Sequence, residues 1–241
     1  MEVSAIAQYS AHCEERLYTY HRKGAYENIS KLEEVFTDED RQLAQKISDF
    51  VRGLSVVAFD SNCKSLKVDV GVEGSLHSHF LSVYMPVKIR ADGNCLYHSI
   101  STGLVGDDRL SSILRFGCLG VLLQHKDYFT SHVVNERKIF FWDDIEGKVV
   151  LGTLIDIAFL LGTLSKMVLN RDVIPIPEKL RNIPINTLCY GRPSQILALS
   201  ILTNRVINVY EPDPSEDLAE NISEIDFKSF LNNKKTNRSY E

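Results

Sequence analysis

One short turn sequence constrains the fold of this chain more than any other feature. Residues 92–94, Asp-Gly-Asn, separate two hydrophobic patterns of different period. Before the turn, residues 81–89 alternate apolar and polar side chains, which predicts a strand with Pro86 at an edge or a bulge. After the turn, apolar side chains recur at helical spacing, at Leu96, Ile100 and Leu104. The sequence therefore predicts that Cys95 lies in the first turn of a helix that leaves a tight loop.

A cysteine at such a position suits nucleophilic chemistry. The unpaired N–H groups at the start of a helix attract negative charge and so favour a thiolate. The same N–H groups can hold a developing oxyanion, and Gly93 lets the backbone turn sharply without a steric penalty. Cys95 is the candidate nucleophile, with a buried and chemically inert helix cysteine as the alternative.

The residues of this turn carry a resemblance to a known family. Residues 92–97, Asp-Gly-Asn-Cys-Leu-Tyr, resemble the Asp-Gly-Asn-Cys-Leu-Phe/Tyr signature of the ovarian-tumour (OTU) cysteine peptidases, which mostly remove ubiquitin. Residues 189–210 are similar to a second OTU block, with a loop, a helix containing Ala-Leu-Ser, a turn and a buried strand. The resemblance implies that Cys95 is the nucleophile and that Asp92, with Gly93 and Asn94, shapes the oxyanion loop. It also implies an α/β (α+β) OTU-like cysteine peptidase fold with a small central sheet flanked by helices, which follows an N-terminal helical segment that the residue pattern predicts.

The chain is also similar to vertnin-type proteins, a diverged OTU-like group in which the catalytic residues are not retained. The shared features are a strand before the loop, Gly-Asp at residues 106–107, and a long helix that ends near His125 and Tyr128. This chain differs from that group by keeping Asp92, Asn94 and Cys95. Two functions therefore remain open. One is a thiol-dependent deubiquitinase that hydrolyses isopeptide bonds after ubiquitin, and the other is a catalytically inactive module that binds or regulates.

The histidine that the OTU resemblance implies is missing. A thiol peptidase needs a base near its nucleophile, normally an imidazole, but no histidine follows His132 in this sequence. Three explanations stay open: a truncated chain whose next strand would carry the histidine, a pseudoenzyme that keeps a binding groove, or substitution by His77 or His79. His98 follows Cys95 by about one helical turn. In the resembling family its position often holds an arginine, so we interpret His98 as a partly buried helix residue.

Composition narrows the classes of function. Hydrophobic content of 44% and charged content of 24% are typical of a soluble globular protein, and the net charge of −5 gives no electrostatic case for nucleic acid. The five cysteines form no Cys-x-x-Cys pair and so indicate neither a zinc site nor a disulfide framework. Reduced thiols fit a cytoplasmic or nuclear protein. We expect no cofactor, no metal and no membrane span, because the most apolar stretch, 149–164, is short and contains Asp156.

Three regions are expected along the chain. Residues 1–53 form an N-terminal helical segment with one helix over about 2–22 and another from the N-cap Thr37 to about Phe50, interpreted as an add-on or a docking surface. Residues 54–210 form the OTU-like domain, with short strands near 54–59 and 66–72 and a helix over about 109–129 that Asp107 or Asp108 caps. Asp143 and Asp144 are interpreted as caps rather than metal ligands, 152–168 as a buried helix, and 211–241 as a polar, partly disordered tail.

Overall fold

The computed structural model describes residues 3–25, 29–55, 66–70, 84–90, 92, 94–129 and 193–208. Within these ranges the chain forms seven helices: α1 Val3–Arg22, α2 Ile29–Val35, α3 Asp38–Gly53, α4 Cys95–Val105, α5 Ser111–Gln124, α6 Lys126–Tyr128 and α7 Pro193–Thr203. Both predicted N-terminal helices are present. The sequence analysis missed α2, which has only seven residues and is too short to show a clear helical period.

Helix α5 is the centre of the described part of the chain. It packs against α1, α3, α4 and α7. A helix that is apolar around most of its circumference must be buried on most sides, and the predicted apolar positions are all buried: Leu110, Ile113, Leu114, Cys118, Val121 and Leu122. The helix begins at Ser111 and ends at Gln124, so it is shorter than the predicted 109–129.

The predicted small central sheet is wrong for the residues that the structure describes. Their only β pairing is one isolated antiparallel bridge between Val68 and Val87. Two backbone hydrogen bonds hold it, from Asp69 N–H to the Pro86 carbonyl at 2.9 Å and from Lys88 N–H to the Lys67 carbonyl at 2.8 Å. The alternation in residues 81–89 therefore corresponds, where it is described, to an extended segment beside a helical body. An apolar helix, α5, occupies the centre in place of a sheet.

The buried strand predicted at the end of residues 189–210 is also wrong where the structure describes it. Residues 205–208 follow α7 without forming a strand, and Val206 is 45% exposed rather than buried. The preceding helix was predicted correctly as α7. The strand predicted at 54–59 lies outside the described residues beyond Ser55. Several other predictions lie wholly outside them: His77 and His79, Asp143 and Asp144, the apolar helix at 152–168, and the tail at 211–241. None of the described helices is long and apolar enough to cross a membrane.

A buried carboxylate joins α1 to α3. Thr37 is the N-cap of α3, as predicted, and it forms a capping box with Asp40. The Asp40 side chain is only 3% exposed. It accepts hydrogen bonds from Arg16 of α1, Nε to Oδ1 at 2.8 Å and Nη2 to Oδ2 at 2.5 Å. Burial alone would raise the pKa of Asp40, but the hydrogen bonds from Arg16, Tyr20 and Thr37 outweigh it and lower that pKa.

Two arginines join the C-terminal ends of α3 and α7. Arg52 of α3 donates to the carbonyls of Leu202 at 3.3 Å and Ile201 at 3.1 Å. Arg205, just after α7, donates to the carbonyl of Val51 at 3.4 Å and to that of Leu54. The last carbonyls of a helix lack partners within the helix and carry its negative end. Each arginine therefore satisfies the end of the other helix.

The close approach of α3 and α5 depends on a glycine. A Cβ atom placed on Gly120 would overlap the Cβ atom of Ala44, which is fixed to the backbone of α3 and cannot swing away. We expect Gly120→Ala to lower the free energy of unfolding by about 1–3 kcal/mol, because overpacking outweighs the gain in helix propensity. Thermal and urea unfolding measure this.

Gly103→Ala is the matched control for this packing prediction. Gly103 lies in α4, and an added Cβ atom there meets nothing within 4 Å. This variant should be as stable as the wild type or more stable by up to about 1 kcal/mol. Equal shifts in the two variants would contradict the packing argument.

Candidate functional site

The loop before α4 has a defined hydrogen-bond pattern. The Asp92 Oδ1 atom accepts a hydrogen bond from the Asn94 N–H at 2.9 Å. Aspartate commonly forms a local turn of this kind, in which its side chain binds the backbone N–H two residues later. The His98 N–H donates to the Asn94 carbonyl at 2.9 Å and closes the first turn of the helix. Cys95 is the first residue of α4, as the sequence predicted. Gly93, the remaining predicted residue of this loop, lies outside the described residues.

His98 is the buried partner of Asp92. Its side chain is 4% exposed, and its Nε2 atom lies 3.0 Å from both carboxylate oxygens of Asp92. Its Nδ1 atom lies 2.7 Å from the Ser111 Oγ atom at the start of α5. Both ring nitrogens are therefore engaged in hydrogen bonds. The sequence analysis placed His98 correctly on the helix but did not connect it with Asp92, because the loop that brings them together has no periodic pattern.

A second carboxylate and an arginine complete this polar cluster. Arg90 Nη2 lies 2.8 Å from Asp108 Oδ2, and Arg90 Nε lies 3.9 Å from Asp92 Oδ2. Burial alone would raise the pKa of Asp92, but hydrogen bonds from His98 and the Asn94 N–H and the charges of His98 and Arg90 lower it. Asp92 is consequently an ionised hydrogen-bond acceptor at neutral pH. It stabilises the loop through its contacts with Asn94 and His98.

Asn94 is held from the opposite side by a buried arginine. Arg115 of α5 is 2% exposed, and its Nη2 atom donates to the Asn94 Oδ1 atom. Its guanidinium lies over the Tyr97 ring, with Cζ 4.1 Å from the ring centroid, within the range of a cation–π interaction. Asn94 is the N-cap residue of α4 but makes no side-chain capping bond. Its side chain therefore does not cap the first turn of α4.

The three described cysteines differ in accessibility. Cys95 is half-buried, whereas Cys13 and Cys118 are fully buried. Burial and the nearby Glu14 carboxylate raise the pKa of the Cys13 thiol to about 12, and burial raises the pKa of the Cys118 thiol. Protonated, enclosed thiols are poor nucleophiles. Among these three residues, Cys95 is the one whose thiol is not fully buried.

A polar cavity of about 310 Å³ lies beside this loop. Its lining includes Asp92, Asn94 and His98 together with Glu14 of α1 and Arg109. Arg109 is paired with Asp107 through its Nε atom at 2.7 Å from Oδ1. The mixed charges of this lining favour no single class of small ion. No group of three His, Cys, Asp or Glu side chains that could hold a metal occurs within the described ranges.

The predicted cap of α5 is wrong. Leu110 is the N-cap residue, and neither Asp107 nor Asp108 caps the helix through its side chain. Asp107 bonds Arg109 instead, while the backbone carbonyl of Asp108 accepts from the Ser111 hydroxyl at 2.7 Å. The predicted break after α4 is confirmed, since Gly106 has a φ of 86° and ends that helix in the left-handed conformation.

Comparison with known families gives one match over this region. A family model described as the OTU domain of vertnin matches residues 86–157, which include the Asp92 loop, α4 and α5. The chain carries an OTU-like domain with vertnin-like features. No curated protein and no solved structure matches the chain. The part of this region that the structure describes is helical, so the similarity to an OTU domain rests on sequence and not on a sheet.

Proposed function

We propose that Cys95 is the nucleophile of an OTU-like thiol hydrolase that cleaves isopeptide bonds after the C-terminus of ubiquitin. The observation that carries the proposal is the position of Cys95: it is a half-buried residue at the start of α4, directly after a loop that Asp92 and Arg115 hold in place. OTU domains generally engage ubiquitin or ubiquitinated proteins. The family match over this loop supports the same substrate class here.

The chemistry requires an attack and two proton transfers. The Cys95 sulfur would bond to the carbonyl carbon of the last ubiquitin residue, and first-turn N–H groups of α4 would hold the resulting oxyanion. The carbon–nitrogen bond to the substrate lysine then breaks, and the leaving amine takes the proton that the thiol gave up. Water then attacks the thioester, its oxygen stays with ubiquitin as the free carboxyl group, and its proton goes to the departing Cys95 sulfur and restores the thiol. Asp92 and Asn94 act in this proposal by holding the loop.

His98 does not supply the base for this reaction in the proposal. Both ring nitrogens of His98 are engaged, with Asp92 and with Ser111, and the ring is buried. His98 is therefore unavailable to take the Cys95 proton without breaking one of these bonds. His77 and His79 remain the candidates that the sequence offers, as upstream substitutes for the missing histidine.

A binding module without catalysis is the second candidate. Two observations favour it: the match to the vertnin branch of OTU domains and the engagement of His98. In that case the loop and α4 would contact ubiquitin or a ubiquitinated protein, and Cys95 would attack nothing. Both candidates predict binding to ubiquitin or a ubiquitinated protein, but only the first predicts that the isopeptide bond is cleaved.

A ubiquitin probe with a C-terminal electrophile tests the first candidate. We expect the chain to gain the mass of one ubiquitin and Cys95→Ala to gain none, because the bond forms at the Cys95 sulfur. Intact-mass spectrometry reports the adduct. Cys13→Ala is the matched control, since Cys13 is fully buried, and it should label as the wild type does.

The outcomes separate the candidates. Labelling that persists in Cys95→Ala would overturn the role of Cys95. Absence of labelling together with measurable ubiquitin binding would favour the non-catalytic module. Labelling followed by hydrolysis of a ubiquitin conjugate would show that the chain also supplies a base.

A further inference from the structure

The hydrogen bonds of the His98 ring allow its role to be derived atom by atom. Asp92 is ionised and can only accept, so the Nε2 atom that lies 3.0 Å from both of its oxygens must carry a proton. At Nδ1, the Ser111 hydroxyl lies at 2.7 Å. That hydroxyl also lies 2.7 Å from the Asp108 carbonyl, and it can serve Nδ1 as a donor or an acceptor. Arg90 Nη2 lies 3.5 Å from Nε2 but 2.8 Å from Asp108 Oδ2, so its shorter bond goes to Asp108 and the Nε2 proton is directed at Asp92 in either arrangement.

This bond connects the centre of the helical body with the loop. Ser111 begins α5, which four other helices contact, and His98 lies on α4. From His98 the bonds run to Asp92 and from Asp92 to the Asn94 N–H at 2.9 Å. Asn94 directly precedes Cys95. The Asp92 side chain is 43% exposed, and without His98 it would be held by the Asn94 N–H and by Arg90 Nε at 3.9 Å, which restrict its rotamers less than a buried ring does.

We infer that His98 is a positioning residue, which fixes Asp92 through Nε2 and thereby fixes the backbone that presents Cys95. The inference deepens the proposed function, and its activity test rests on that function. It assigns His98 no contact with the substrate. It also explains why a buried imidazole lies beside the candidate nucleophile without serving as its base.

Two amide variants of His98 separate this role from ordinary packing. Glutamine places its side-chain amide near the position of Nε2 and can still donate to Asp92, whereas asparagine reaches only the position of Nδ1 and keeps the contact with Ser111. Both variants lose the ring and should lose similar stability. We expect His98→Asn to slow labelling by the ubiquitin probe by roughly tenfold or more, and His98→Gln to remain within about threefold of the wild type. His12→Asn, at an exposed position of α1, is the control and should change nothing.

Amide hydrogen exchange at Asn94 provides a readout that is independent of ubiquitin. The Asn94 N–H is bonded to Asp92, so it should exchange roughly tenfold faster in His98→Asn than in His98→Gln, when both are compared at equal distance below their melting temperatures. If the wild type is not labelled by the probe but this exchange pattern holds, the proposed function fails and the positioning role stands. If the two variants exchange and label alike, the positioning role is wrong and His98 contributes packing only.

A double-variant cycle completes the test. When Asp92 is replaced by alanine, the acceptor of the Nε2–H hydrogen bond is lost, so adding His98→Asn should slow labelling by less than about twofold more. Fully multiplicative effects of the two substitutions would show that His98 acts by a route other than Asp92.

Discussion

Replacing Asp40 with alanine is expected to lower the free energy of unfolding by about 3–5 kcal/mol. The substitution leaves the Arg16 guanidinium without the carboxylate that binds it through Nε and Nη2. It also removes the acceptor for the Thr37 N–H, which lies 2.8 Å from Oδ2, and so weakens the start of α3. Because the stability of a domain is about 5–15 kcal/mol in total, urea unfolding should register this loss clearly.

Asp38→Ala is the control. Asp38 lies in the same helical turn, but its side chain is 97% exposed and its ion pair with Arg41 is long, with 3.8 Å between Oδ1 and Nε. Exposed pairs of this kind contribute less than about 1 kcal/mol. A loss in Asp38→Ala as large as that in Asp40→Ala would show that acidic charge at the helix start, rather than the buried pair, stabilises the protein.

The pH dependence of stability follows from the lowered pKa of Asp40. Below the unfolded-state pKa, near 4, the unfolded chain binds a proton at this carboxyl that the native state does not, so stability falls as the pH falls. The contribution of Asp40 is fully present above that value and is lost as the pH drops through the folded-state pKa. Asp40→Ala should therefore show a shallower decline in stability in acid than the wild type.

Deletion of residues 1–53 is expected to abolish folding of the remaining chain. α1 and α3 both pack on α5, and Phe116 of α5 stacks with Tyr20 at 6.3 Å and with Phe36 at 5.7 Å between ring centroids. Leu17, Tyr20 and Leu32 are fully buried, and each buried side chain of this size contributes roughly 1.5–3 kcal/mol. The sum is comparable with the whole stability of a domain. Circular dichroism and size-exclusion chromatography of residues 54–241 test this.

Co-expression of residues 1–53 with residues 54–241 is the matched experiment. If the N-terminal helices are needed to cover α5, the two fragments should copurify as a soluble complex, while the longer fragment alone aggregates. Cooperative unfolding of residues 54–241 alone would contradict this expectation. It would support the interpretation of residues 1–53 as an add-on or a docking surface.

The features that could be predicted from the sequence are those that depend on local chemistry. Thr37 and Asp40 form a capping box within four residues. Gly106 ends α4 in the left-handed conformation, which favours glycine. Cys95 begins a helix after a turn-forming sequence. The apolar positions of α5 have a clear helical period. Each of these signals is complete within a few residues, so no tertiary contact was needed to interpret it.

The predictions that failed depend on partners far away in the chain. Alternation in residues 81–89 indicates an extended backbone, but only a neighbouring strand makes a sheet, and among the described residues Val87 pairs with Val68 alone. Val206 lies in the segment that was predicted as a buried strand, but its side chain is exposed. The bonds from His98 to Asp92 and Ser111 depend on how the loop and α5 meet. A single sequence does not reveal which distant segments come into contact.

The exchange of hydrogen bonds by Arg52 and Arg205 has a consequence for how this fold can diverge. Every acceptor in the exchange is a main-chain carbonyl, belonging to Val51, Leu54, Ile201, Leu202 or Thr203. Side chains at those positions can drift without breaking the bonds, whereas lysine cannot reproduce the fork of an arginine. Related chains should therefore retain arginine at both places while the acceptor residues vary independently. Methods that detect contacts from correlated substitutions would then overlook this junction, although it joins segments about 150 residues apart.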